Sequence, residues 1–162
     1  KNQGDSEMSE YRATIIWHRQ SDEDFIQSKY SRGHEWAFDG GTRIPASSSP
    51  SVVPVPYSVE ANVDPEEAFV AALSSCHMLL YLSIAAKRRF VIDTYTDNAI
   101  GTMEQDENGR HSITKVVLRP EVTYSGDKQP SVEQVKKMHD LSHEQCFIAN
   151  SVKTEVITEM LE

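Results

Sequence analysis

Two cysteines are all that the 162 residues contain, Cys76 and Cys146, seventy positions apart. A disulfide framework is therefore excluded as the source of stability, and a chain of this length has no need of one. The N-terminal KNQGDSEM has no apolar core of the kind that marks a secretory signal, and no Asn-x-Ser/Thr sequon occurs. A cytoplasmic location is expected. Basic residues are scarce, 16 against 25 acidic, for a net charge of -9. Such a surface repels phosphate backbones, so nucleic acid is not an expected partner. No run of like charge is long enough to form a tail. Phosphate loop, dinucleotide fingerprint and serine-hydrolase elbow are all missing.

One absence is local. AFVAALSSCHMLLYLSIAA, residues 68–86, holds no Asp, Glu, Lys or Arg. A membrane span needs about 20 mostly apolar residues. This run approaches that length, but Ser74, Ser75, Ser83, His77 and Tyr81 interrupt it. The rest of the chain supplies strands and a second helix to cover it. A helix apolar on every side is otherwise surrounded by protein. One sheet covers one side, so full burial calls for a second chain, and an interlocked homodimer is expected rather than a membrane partner.

The remaining pattern is that of an α+β protein. YRATIIWH (11–18) and YSRGHEWAF (30–38) read as strands, the second ended by Asp39-Gly40-Gly41. Residues 44–58 carry four prolines and a serine cluster and read as a loop, with a short edge strand near Val52. Asp64-Pro65-Glu66-Glu67 opens the long helix: Asp64 as N-cap, Pro65 at the first helical position, and Glu67 completing a capping box. Lys87, Arg88 and Arg89 suit its C-terminus, where the macrodipole favours cations. Residues 93–106 and 111–124 read as two strands joined by a hairpin at Glu107-Asn108-Gly109-Arg110. Ser131 caps a second helix to about Cys146, a helical turn follows, and 154–161 forms a closing strand. The expected architecture is a mainly antiparallel sheet with two long helices, the central one buried. Residues 1–10 form a tail, with 1–7 read as an added remnant ahead of a natural start at Met8, and 11–162 make one domain.

Taken alone, Cys76 in such a helix packs as a small hydrophobe. Cys146 is different: it precedes a short helix, whose N-terminal N–H groups lower a thiol pKa. His139, His143 and Cys146 fall at i, i+4 and i+7, a spacing that zinc ligands use on one helix face. A Cys/His zinc site is thus one alternative. Against it, neither cysteine belongs to a CxxC pair and the chain is expected to bend near Cys146. His139 and His143 then become surface or interface residues, and His77 a buried ring.

PEEAFVAALSSCHM, followed by CFIANSVKTEV, resembles the OsmC/Ohr family of osmotically inducible and organic hydroperoxide resistance proteins. The helix start, the ten residues from Glu66 to Cys76, and Lys153 follow the family pattern, whereas Phe147 stands where many members have proline. The resemblance covers residues 10–161. It implies a thiol peroxidase that needs no cofactor and no metal. Cys76 would attack the hydroperoxide, Cys146 would resolve the sulfenic acid, and a dithiol or lipoylated protein would reduce the disulfide. Glu66 would orient a catalytic arginine, for which Arg32 is the first choice, then Arg43, with Arg12 and Arg19 more remote. On a straight helix Glu66 and Cys76 lie about 15 Å apart. A two-chain site is therefore expected, the two cysteines from one protomer and Glu66 and the arginine from the other. A non-enzymatic binding module on the same fold is the other alternative.

Overall fold

The computed structural model describes residues 8–161, so the reading of residues 1–7 lies outside the described residues. The chain divides into two compact units, one ending at Pro65 and one beginning at Glu66.

In the first unit, β1 (Ala13–Ile16), β2 (His34–Phe38) and β3 (Arg43–Ala46) form an antiparallel sheet in that order. Ile15 pairs with Trp36, which pairs with Ile44. The turn between β2 and β3 uses Gly41 at φ +93°, a backbone conformation that glycine adopts without steric cost. The expected loop at 44–58 loses its first residues to β3, and no edge strand forms at Val52. There the chain turns instead, the Ser49 carbonyl accepting from the N–H groups of both Val52 and Val53. Pro50 and Pro54 flank this turn and have no N–H to give a ladder. Between β1 and β2 the chain makes a small excursion in which Trp17, Phe25 and Tyr30 pack ring on ring, with centroids 4.7 to 5.9 Å apart.

The second unit opens with α1 (Pro65–Lys87) and runs through β4 (Val91–Asp97), β5 (Ile100–Gln105), β6 (His111–Leu118), β7 (Pro120–Ser125), α2 (Val132–Gln145), a 3₁₀ turn at Ala149–Ser151, and β8 (Glu155–Thr158). Each of the two long predicted strands is in fact two. β4 pairs with β7 in one sheet, and β5–β6–β8 form another. The break has a physical cause. Pro120 offers no N–H, and opposite it Asp97 turns its carboxylate inward. One oxygen accepts from the Arg119 N–H at 2.6 Å and the other from Ser74 Oγ of α1 at 2.5 Å. Asp97 thus ties the strand break to the helix. The hairpin at 106–110 forms as expected: Asp106 Oδ1 accepts from Asn108 and Arg110, and Gly109 takes φ +76°. The closing strand pairs parallel to β6, whereas β4–β7 and β5–β6 are antiparallel.

α1 ends in a Schellman motif, Phe90 N–H to Ala85 O and Arg89 N–H to Ala86 O, with Arg89 in the left-handed region. Within the single chain, one face of α1 is covered. Leu73, His77, Tyr81 and Ala85, spaced every fourth residue, form one sealed stripe. Ala72, Ser75, Leu79, Ser83 and Ala86 are exposed in the single chain. Tyr81 and Ala85 join Phe90 and Met138 in one core cluster; Leu73 joins Val116 and Leu118 in a second. His77 lies between them on the helix. β5 approaches α1 closely at Gly101, where an added Cβ would stand 2.6 Å from a Val70 methyl. By length and composition α1 is apolar enough to cross a membrane. Yet its sealed stripe carries an imidazole and a phenol that are hydrogen-bonded to α2 and β7, the condition of a soluble protein's core helix.

Candidate active site

Cys76 sits at mid-helix on α1, beside the sealed stripe, and is half-buried. Cys146 is 1% exposed and forms the C-cap of α2. The capping box of Ser131 and Gln134 starts that helix, and the backbone leaves helical geometry at Cys146. The chain then turns back, with the Asn150 N–H bonding the Cys146 carbonyl and the Ala149 N–H meeting Cys146 Sγ at 3.4 Å. Both thiols are free. They are neighbours: burial raises the pKa of Cys146, a hydrogen bond with the Cys76 thiol raises it further, and the Ala149 N–H opposes both. The expected lowering by the short helix is real but outweighed by burial. Cys146 is therefore a neutral thiol at pH 7, held against Cys76.

The residue after Cys76 belongs to a buried polar group that the sequence reading did not disclose. His77 Nε2 and His139 Nδ1 are 2.9 Å apart, bridging α1 and α2. His139 is 4% exposed, which corrects the expectation of a surface or interface residue; His143 is exposed. Burial holds both His77 and His139 down to about 4. His139 stacks on Tyr81 with ring centroids 4.2 Å apart, and the Tyr81 hydroxyl bonds that of Tyr124. Burial raises the pKa of Tyr81 and Tyr95, so both stay neutral phenols. The signal was present: His77 falls four residues after Leu73 and four before Tyr81, in the middle of the sealed stripe.

The zinc alternative gains no support from this arrangement. Cys146 lies beyond the end of α2 and faces Cys76, while His139 faces His77. Among the described residues no three His, Cys, Asp or Glu side chains gather as a ligand set.

Glu66, in the first turn of α1, has Oε2 buried and without a hydrogen-bond partner among the described residues. Ten residues of unbroken helix separate it from Cys76. Each candidate arginine is held within the first unit. Arg32 Nη1 donates to the carbonyls of Ser28 (2.9 Å) and Tyr30 (2.6 Å), and its guanidinium lies 3.6 Å from the Tyr30 ring centroid. Arg43 pairs with Glu35 across the β2–β3 ladder, the arginine largely in solvent and the glutamate partly so. Arg12 pairs with Glu10, and Arg19 donates to the Gln20 and Glu23 carbonyls.

An α+β chain that holds two free thiols together from the middle of one helix and the end of another defines a class of two-cysteine proteins. A family model described as OsmC-like protein matches residues 59–160, and the chain belongs to the OsmC-like family. An OsmC-like protein of unknown function from Vibrio cholerae O1 biovar eltor is 61% identical, with a TM-score of 0.93 over 95% of this chain and 100% of that one. An organic hydroperoxide resistance protein from Elizabethkingia anophelis has 15% identity and a TM-score of 0.69, covering 96% of each chain. The organic hydroperoxide resistance protein OhrB of Bacillus subtilis has 16% identity and a TM-score of 0.65, covering 94% of this chain and 98% of its own. These last two share the fold. No curated protein matches the chain.

Proposed function

We propose that the protein is a cytoplasmic thiol peroxidase that reduces organic hydroperoxides. The observation that carries this reading is the contact of Cys76 with Cys146 inside one unit, both reduced, one half-buried and one sealed. The Cys76 thiolate attacks the outer peroxide oxygen. The O–O bond breaks, the alkoxide takes a proton and leaves as an alcohol, and Cys76 becomes a sulfenic acid. The Cys146 thiol then attacks the Cys76 sulfur, water leaves, and a disulfide forms. A dithiol or lipoylated protein takes the two oxidising equivalents and restores both thiols.

Cys146 suits the second step: a neutral, sealed thiol does not compete for peroxide, because the thiolate is the nucleophile. Two observations support completion of the site by a second copy of the chain. The face of α1 at Leu79 is open, and the buried Glu66 Oε2 has no hydrogen-bond partner among the described residues. In this reading Glu66 and Arg32 come from the other protomer, with Arg32 preferred over Arg43 because it is half-buried. Its charge then stabilises the Cys76 thiolate and the leaving oxyanion. An apolar approach favours bulky hydroperoxides over hydrogen peroxide, since only the former gain about 25 cal/mol per Å² of hydrocarbon buried.

Mass spectrometry after one equivalent of cumene hydroperoxide tests the reading. The expected result is a Cys76–Cys146 disulfide in the wild type and a sulfenic acid at Cys76 in Cys146→Ser. Two thiols that remain reduced in an intact fold would reject the peroxidase and leave a binding module.

A further inference from the structure

The polar pair beside the thiols is placed to do more than fill the core. His77 follows Cys76 directly on α1. His139 lies seven residues, about two turns, before Cys146 on α2. Their hydrogen bond at 2.9 Å links α1 to α2, at the residue after Cys76 on one helix and two turns before Cys146 on the other. Both rings are sealed, at 1% and 4% exposure. The Tyr81 ring stacks on His139, and Tyr81 is bonded in turn to Tyr124 of β7. His77 Nδ1 is buried and has no partner among the described residues. An apolar pair of similar size would leave no such orphan atom, so the histidines are not explained by packing alone. A hydrogen bond fixes the distance and direction between two helices, which apolar contact does not.

We infer that His77 and His139 are positioning residues, whose bond holds α1 and α2 in the register that lets Cys146 reach Cys76. The inference rests on the peroxidase reading for its consequence. Two reactions compete for the Cys76 sulfenic acid. In one, Cys146 displaces its oxygen as water and the disulfide forms. In the other, a second hydroperoxide transfers an oxygen, leaves as its alcohol, and Cys76 becomes a sulfinic acid. The first reaction is intramolecular and depends steeply on alignment; a misplacement of about 1 Å can cost on the order of 100-fold. The second does not depend on where Cys146 sits. The pair therefore sets how much hydroperoxide the protein survives.

His139→Phe removes the bond while keeping a ring to stack on Tyr81. His139→Asn restores it, because an Asn side-chain amide reaches the position of Nδ1. The full-length proteins are titrated with one to twenty equivalents of cumene hydroperoxide, and the Cys76 products are resolved by mass. In H139F the first oxidation is expected within about twofold of wild type, disulfide formation at least about tenfold slower, and sulfinic acid at equivalents where the wild type shows none. H139N is expected to return most of the disulfide yield. Wild-type disulfide formation in a folded H139F would overturn the inference, as would an H139N no better than H139F. Should H139F not fold, His77→Leu removes the same bond from the other partner and is read in the same way. A second readout needs no peroxide: equilibration with glutathione redox buffers gives the effective concentration of one thiol at the other. A fall of about tenfold or more in H139F supports the clamp even if the wild type proves inert to hydroperoxide. An unchanged value rejects it.

Discussion

Leu73 and Leu79 lie six residues apart on α1, one sealed at 1% exposure and the other open at 60%. They mark two faces of one helix. The sealed face carries more chemistry: an imidazole and a phenol, each with a partner. The open face carries Ala72, Ser75, Ser83 and Ala86, small side chains with a leucine between them. Average apolarity therefore says little about which side of such a helix is covered. A buried polar group stays buried because another element supplies its hydrogen bond. A surface of small residues lets another backbone come close, the usual reason for small side chains at helix contacts.

The comparison can be broken from the sealed side first. Leu73→Ala opens a cavity among Val116 and Leu118 and is expected to cost about 3–4 kcal/mol, measured as a shift in the urea midpoint. A loss below about 1 kcal/mol would mean that the second core cluster tolerates a void and that the stripe is not the anchor of α1.

Acid tests the same face more gently. The unfolded chain protonates its histidines near the ordinary 6.5, whereas His77 and His139 are held to about 4 by burial. The folded state thus binds fewer protons between those values. Its stability is full above about pH 6.5 and falls as pH drops toward 4, by roughly 2–3 kcal/mol for one such ring at pH 4.5. Urea denaturation at pH 7, 5.5 and 4.5 measures the slope, and a flat profile would show that the pair is not sealed.

The open face gives the smallest effect on the chain itself. Leu79→Ser is expected to change monomer stability by less than about 0.5 kcal/mol. If a second copy covers that face, the same substitution weakens self-association in sedimentation velocity. A dimer indifferent to Leu79 would place its interface elsewhere.

Much of the fold was legible because local chemistry declared it. Asp64-Pro65-Glu66-Glu67, Ser131 and Asn108-Gly109 each mark a boundary by local backbone chemistry, and α1, α2 and the β5–β6 hairpin stand where they point. The residues alone left Cys76 a small hydrophobe in a helix, and its pairing with Cys146 was implied only by the family resemblance. What stayed hidden depends on distant partners. The break of two long strands into four rests on Asp97 meeting Arg119 and Ser74, residues about 22 positions away on either side. The parallel pairing of β8 with β6 is a matter of topology, not of propensity. His139 read as a surface or interface residue on a helix that carries Lys136, Lys137 and Asp140, and its burial comes from distant partners, the His77 ring and the Tyr81 ring. Arg32 was legible as a candidate, whereas its grip on the Tyr30 ring was not.

The distance between the cysteines along the chain has a consequence for oxidation. A bond from Cys76 to Cys146 would convert half of α1, four strands and all of α2 into a closed ring of covalent atoms. Closing a loop of this length removes enough freedom from the unfolded chain to be worth about 4 kcal/mol in the chain-entropy picture. The oxidised molecule would then melt well above the reduced one, and heat resistance would record, molecule by molecule, which copies await their reductant.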